Sequence, residues 1–201
     1  MLQNKKIILA SSSRTRQNLL RSVGLEFEIC VPNIDEHKIS YDAQQQGIKT
    51  DIIAKILAEE KFKSIADKNC DYIIIAADQI LESNLGLLHK PKSYDDAFDQ
   101  LWSLRDKYHY LHSAFAIGHY HHNPYIGVET AQIKMRNYSE QCLHEYLRLS
   151  EPFYLDSVGG YQIEKHGMLL IENIVGDFTT IMGLPMLSLL SELRRLKIIC
   201  E

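Results

Sequence analysis

Residues 72–91, YIIIAADQILESNLGLLHKP, hold the most suggestive chemistry of the chain. An apolar run, Ile73–Ile74–Ile75–Ala76–Ala77, delivers one carboxylate, Asp78, where the run stops. A Gly-bearing turn and the pair Lys90–Pro91 follow. A buried strand ending in an acid, with a lysine held nearby, is a common way to fix a metal-bound polyphosphate. An acid that closes an apolar strand needs a partner or lies at a rim, and the rim of an α/β sheet is where ligands bind.

Other candidates are weaker one by one. Ser11–Ser12–Ser13 stands where a strand would pass into a helix, presenting hydroxyls and free backbone N–H groups to an anion. Arg14 and Arg16 share that turn and can pair with phosphate. Taken alone, the cluster is more simply a helix cap with solvated arginines. Asp35–Glu36 in a polar stretch and Lys61 on the polar side of a helix are, by default, solvated charges. His119 and His121 would share a strand face beside His122, but at an exposed hairpin end, where metal binding is the lesser reading. The chain has no P-loop, no G-x-G-x-x-G and no Ser-His-Asp order.

These residues need elements to hold them. Ile7–Ala10 predicts a short buried strand, and the serines cap a helix over Arg14 to Val23 that stops at Gly24. Phe27 to Val31 predicts a strand, halted by Pro32, and residues 33–48 a polar surface loop. Ile52, Ile53, Ile56, Leu57 and Ile65 mark an amphipathic helix from Asp51 to Lys68. Tyr72–Ala77 predicts a central strand by its β-branched content. A helix over Asp95 to Leu104 precedes paired strands, His109–Ile117 and Tyr125–Met135, around the turn His121–His122–Asn123–Pro124. Ser139 opens a helix to Leu149, Gly159–Gly160 is a flexible turn, and Met168–Ile174 a strand. Pro185 stands in the first turn of a terminal helix ending near Arg194–Arg195. Strands alternating with helices, plus one hairpin, argue for an α/β domain with a mixed sheet.

Composition bounds the rest. At 201 residues the chain can build one substantial core, so 1–201 is expected to be a single domain. Apolar residues at 45% and charged residues at 24% are ordinary for a globular protein. The net charge of −4 and the lack of a basic, aromatic-studded face argue against nucleic acid as a partner. Four scattered cysteines, Cys30, Cys70, Cys142 and Cys200, predict reduced thiols and a cytoplasmic location. No window approaches the roughly 18 apolar residues of a membrane helix, and Ile7 to Ala10 is too short for a secretory core.

In combination the weak signals take on an order. A-S-S-S-R-T-R-Q-N-L-L (10–20), Asp35–Glu36, L-A-E-E-K (57–61), A-A-D-Q (76–79), K-P (90–91), E-T (129–130), E-P (151–152), V-G-G-Y-Q-I-E (158–164) and G-L-P (183–185) together resemble the Maf family of nucleotide pyrophosphatases, from about residue 7 to 196. The resemblance implies a twisted mixed sheet with flanking helices and a deep cleft between two lobes, the Maf/ITPase-like fold. It implies hydrolysis of a nucleoside triphosphate between the α- and β-phosphates, releasing pyrophosphate. It also implies a divalent cation, Mg²⁺ first and Mn²⁺ or Co²⁺ as substitutes, and a homodimer. By the same resemblance Asp78 is the catalytic acid that binds metal and serves as base, and Glu36 completes the metal site. Lys61 and Lys90 hold the triphosphate, with Ser11, Ser13 and Arg16 facing phosphate.

The departures bear on substrate. The usual S-x-S-P-R-R is Ser11–Ser12–Ser13–Arg14–Thr15–Arg16 here, the usual A-D-T is Ala77–Asp78–Gln79, and the usual K-A-G-x-Y-x-I-Q runs from Ser157 to Glu164. In the family the positions of Thr15, Gln79 and Glu164 look like specificity determinants. Gln79 and Glu164 resemble the branch acting on 7-methyl-GTP; Thr and Gln there mark the branch acting on dTTP and UTP, and Thr15 fits neither. N7-methylation makes guanine cationic, which a carboxylate complements better than an amide. Glu164 can instead compensate for the lysine replaced by Ser157. The alternatives are a dTTP/UTP pyrophosphatase and a nucleotide-binding regulator of cell division that has lost turnover.

Overall fold

The computed structural model describes residues 3–66, 72–119 and 122–200. Ile7–Ala10 forms β1, every residue of it buried, as an unbroken apolar run between two neighbours requires. It pairs in parallel with β2 (Glu28–Ile29) on one side and β3 (Ile73–Ser83) on the other, with Ala10 opposite Ala76. Parallel neighbours need crossovers. Helix α1 (Arg14–Ser22) makes the first, and α2 (Glu36–Gln45) with α3 (Thr50–Ala66) the second. The resulting order β2-β1-β3 puts the point where connections diverge beside the carboxyl end of β1, the place where open α/β sheets bind ligands.

The remaining elements are β4 (Gly86–Leu88), folded back antiparallel on β3, then α4 (Tyr94–Leu104), β5 (Tyr108–His119), β6 (Tyr125–Met135), α5 (Glu140–Ser150), β7 (Ile171–Val175), α6 (Phe178–Ile181) and α7 (Met186–Arg195). Strand β7 lies antiparallel to β6. The sheet is seven-stranded and mixed, in the order β2-β1-β3-β5-β6-β7 with β4 on β3. Two compact units share it: Met1–Asp78 with Ser113–Glu129 and Gly183–Glu201, and Gln79–His112 with Thr130–Met182. The first buries Leu9, Leu20, Leu57, Phe62, Ile74 and Phe115. The second is built on Leu81, Leu101, Leu111, Ile133, Leu147 and Tyr161.

Most expected elements form, several with the expected ends: Ser13 caps α1, Ser139 caps α5, and Gly24 follows α1 at a φ of 75°. Four expectations are corrected. Residues 33–48 are not a loop, because α2 occupies Glu36–Gln45 with Asp35 as its cap. Its buried face is only Ser40 and Ala43, too small to register as an apolar stripe. Asp78 does not end its strand: Ile80 and Leu81 carry β3 to Ser83. The strand expected at Met168–Ile174 begins at Ile171, since residues 166–170 wind as a 3₁₀ turn. Strand β2 is shorter than Phe27–Val31. Lys68, Cys70 and His121 lie outside the described residues, while Cys30, Cys142 and Cys200 are free thiols.

Candidate active site

The carboxyl ends of β1 and the first half of β3 bring the first motif to the buried acid. Ser11 follows β1 directly and accepts from the Ser13 backbone N–H at 3.2 Å and from Arg16 Nη1 at 3.2 Å. Ser13 caps α1, accepting from the Arg16 N–H. Thr15 sits half-buried in the first turn of α1, and Arg14 is exposed. Arg16 is buried in this turn: its Nε donates to the Gly183 carbonyl at 2.8 Å and its Nη1 to the Ala77 carbonyl at 2.8 Å. A guanidinium spread over two backbone carbonyls and a hydroxyl stitches the residue before Asp78 to the turn before α7. Burial draws Arg16 down from its ordinary value, and Asp78 and Glu36 oppose that.

Beside Arg16, three charges meet. Lys61, from the middle of α3, reaches Glu36 Oε1 at 2.9 Å and hydrogen-bonds Asp78 Oδ1. The side chains of Lys61 and Asp78 are 8% and 7% exposed, whereas Glu36 is 51% exposed. Two members are therefore locked in the interior and one opens to solvent. Burial pushes the Asp78 carboxyl above the ordinary carboxylate range, the charges of Lys61 and Arg16 pull it back, and Glu36 adds to the rise. The adjacent acids divide the labour. Asp35 accepts from the Lys38 N–H at 3.0 Å and caps α2, which leaves Glu36 in the first helical turn to face Lys61.

Two carboxylates converging on one ammonium show that the acids at this spot balance a small positive charge. Glu36 and Asp78 fit a divalent metal in that limited sense. Among the described residues no cluster of three or more His, Cys, Asp or Glu could hold a metal by itself. Two carboxylates with the other positions left to phosphate and water is the usual provision for Mg²⁺.

The profile of Maf-like proteins matches residues 6–196. This chain belongs to the Maf-like protein family. Its relatives include a Bartonella quintana protein named 7-methyl-GTP pyrophosphatase, 38% identical over 195 residues, covering 97% of this chain and 98% of that one. A Brucella suis protein of the same name is 37% identical over 194 residues, 96% of this chain and 98% of its own. A Dictyoglomus turgidum protein named dTTP/UTP pyrophosphatase is 35% identical over 192 residues, covering 95% and 96%.

In this Maf-like chain, Ser11, Ser13, Thr15, Arg16, Glu36, Lys61 and Asp78 all fall in the first unit, and Gln79, Lys90 and Glu164 in the second. Gln79, half-buried, donates its side-chain amide to the Thr180 carbonyl at 3.1 Å and the Ile181 carbonyl at 2.9 Å. Lys90 is exposed just past β4, and Glu164 is exposed in the turn at 163–165. That turn follows a tightly held segment. Gly159 and Gly160 both have φ near 75°, the Gly160 carbonyl accepts from Tyr146 Oη at 3.1 Å, and Tyr161 Oη lies 2.7 Å from His109 Nε2. Nothing in the sequence marks His109 as a support, for it occupies one of many buried positions along β5. The carbonyls of Ala77 and Gly183 were equally hidden, because a backbone acceptor has no side-chain signature.

Proposed function

We propose that the protein hydrolyses a nucleoside triphosphate between its α- and β-phosphates, releasing the nucleoside monophosphate and pyrophosphate. The buried Asp78–Lys61 pair, met by Glu36 from the solvent side and next to Arg16, carries this reading. Asp78 takes the proton of the attacking water, and burial suits it to that task by raising its proton affinity. Oxygen bonds to Pα, the bond from Pα to the bridging oxygen breaks, and that electron pair leaves with pyrophosphate. Lys61 and Lys90 offer ammonium groups to the phosphate oxygens, while Ser11 and Ser13 offer hydroxyls at the start of α1. Arg16, which donates from Nε to the Gly183 carbonyl and from Nη1 to the Ala77 carbonyl, holds the turn and offers phosphate a fixed positive charge. Glu36 and Asp78 would hold Mg²⁺, which when bound would neutralise charge on the triphosphate. Mn²⁺ or Co²⁺ would serve in its place.

For substrate we favour a modified nucleotide, 7-methyl-GTP. Glu164 is an exposed carboxylate that matches a cationic base, and the relatives from Bartonella and Brucella bear that name. Residues 1–201 act as one domain in this proposal, because β3, β5 and β6 each contribute residues to both units. The protein works in the cytoplasm and as a homodimer.

The test is a screen of the purified protein with Mg²⁺ against ordinary and methylated triphosphates, measuring pyrophosphate. We expect 7-methyl-GTP to lead, and Asp78→Asn to lower kcat at least about 100-fold. A lead for dTTP and UTP would move the protein to the other named activity. Undiminished release by Asp78→Asn would remove Asp78 from the reaction.

A further inference from the structure

We infer that Lys61 competes with the metal: its ammonium is bonded to the two carboxylates that would hold Mg²⁺, and it yields them as it turns to the triphosphate. Metal without nucleotide is therefore held weakly, and the two bind as a coupled pair. This inference rests on the proposed pyrophosphatase reading and gives Lys61 a second task within it.

The charges set the direction. Lys61 hydrogen-bonds Asp78 Oδ1 and contacts Glu36 Oε1 at 2.9 Å. Arg16 lies close enough to feel the charge of both acids. Two carboxylates, one ammonium and one guanidinium sum to zero, so the cluster is already balanced. A divalent cation joining an ammonium that stays on the same carboxylates adds two unmatched positive charges where Lys61 and Asp78 are buried. Like charges brought together away from water repel strongly. A triphosphate arriving alone brings the opposite imbalance. When both arrive they offset one another, and the phosphate oxygens give the ammonium a new partner.

Of the two cations beside Asp78, Lys61 is the one built to move. Arg16 is pinned, donating from Nε to the Gly183 carbonyl and from Nη1 to the Ala77 carbonyl, each at 2.8 Å. Lys61 carries a point charge on a flexible stem with three donors, and its tip is held by the two carboxylates. Glu36 is the exposed member of the pair, so the ammonium has a solvent side toward which to turn.

Mn²⁺ is the probe, titrated into nucleotide-free protein and followed by loss of the free-ion EPR signal. A pH of 8 favours the ionised form of Asp78, whose proton affinity burial raises. Lys61→Met keeps the stem and deletes the charge. It should bind Mn²⁺ about 10-fold more tightly than wild type. Its affinity for a non-hydrolysable triphosphate without metal should fall by a similar factor. Opposite shifts separate competition from a merely structural part, which would weaken both. Lys61→Arg, which keeps the charge, should gain no Mn²⁺ affinity, and adding Glu36→Gln to Lys61→Met should cancel the gain. If Lys61→Met binds Mn²⁺ no better than wild type, Lys61 builds the metal site instead of contesting it, and the inference is overturned. A gain that survives Glu36→Gln overturns it too, because the ion then sits elsewhere. Should Lys61→Met fail to fold, Lys61→Gln, whose amide still donates to Asp78, carries the same titrations. Wild-type protein that releases no pyrophosphate from any triphosphate refutes the proposed activity, and the Mn²⁺ titration still decides the role of Lys61.

Discussion

At the scale of single residues, the molecule concentrates its difficult electrostatics in two places. Lys61 and Asp78 place opposite charges in the interior, where each is tolerable only because the other is present. Glu36, half in solvent, gives the ammonium a second partner. His109 is the opposite solution, a fully buried histidine kept neutral. Burial pulls it from 6.5 down to about 4, and it meets Tyr161 through Nε2, while its Nδ1 has no hydrogen-bond partner among the described residues. The unfolded chain takes up a proton below its pKa of 6.5, and the folded chain does so only below about 4. Stability from this group is thus complete above the unfolded value and is lost as pH falls through the window between the two. The shift corresponds to about 3 kcal/mol at 1.36 kcal/mol per unit. Urea unfolding at pH 7 and pH 4 should show His109→Gln losing less stability than wild type over that interval, by roughly this amount. Equal losses would mean that His109 is not held neutral by the fold.

At the scale of elements, helix α2 matters most, because it turns a pair of surface acids into one cap and one partner for the buried Lys61. Asp35 secures the first turn, and Glu36 faces Lys61 only while that turn exists. Asp35→Ala should cost about 1 kcal/mol of stability by chemical denaturation. It should also lower kcat/KM several-fold, whereas Asp35→Asn, which still caps, should leave both nearly unchanged. Losing no activity in the alanine variant would show that Glu36 is placed without the cap. This element was also the least legible in the sequence. Strand β1 and helices α1, α3 and α4 announced themselves through apolar periodicity and capping serines. Helix α2 buries Ser40 and Ala43, which no hydrophobic pattern distinguishes from a loop. The 3₁₀ turn at 166–170 hid for a related reason: Met168, Leu169 and Leu170 look like strand, but a Cβ at Gly167 would lie 2.5 Å from the Gln162 carbonyl, so the chain coils closely there.

At the scale of the whole molecule, a net charge of −4 must coexist with a polyanionic substrate. Local cations, rather than a general field, have to attract the triphosphate. Metal and nucleotide should therefore stabilise the fold together more than either does alone. At concentrations near 100 times the dissociation constant, bound ligand adds about 2.7 kcal/mol to unfolding. Thermal melts should show the rise in Tm with a non-hydrolysable triphosphate plus Mg²⁺, and its disappearance on adding a chelator. An equal rise without metal would exclude the shared metal site of Glu36 and Asp78. No helix among the described residues is long and apolar enough to cross a membrane.

The sequence by itself determined the family, the mixed α/β sheet and the identities of Asp78, Lys61 and Glu36 as residues worth joining. These follow from local chemistry: apolar runs must be buried, small polar residues cap helices, and motif order survives in one dimension. Tertiary structure alone decided that Lys61 bridges two acids, that Arg16 spends its guanidinium on the Ala77 and Gly183 carbonyls, and that Gln79 grips Thr180 and Ile181. Those partners stand 17 to 167 residues apart along the chain. Most are backbone oxygens common to every residue, so only folding selects which ones are met.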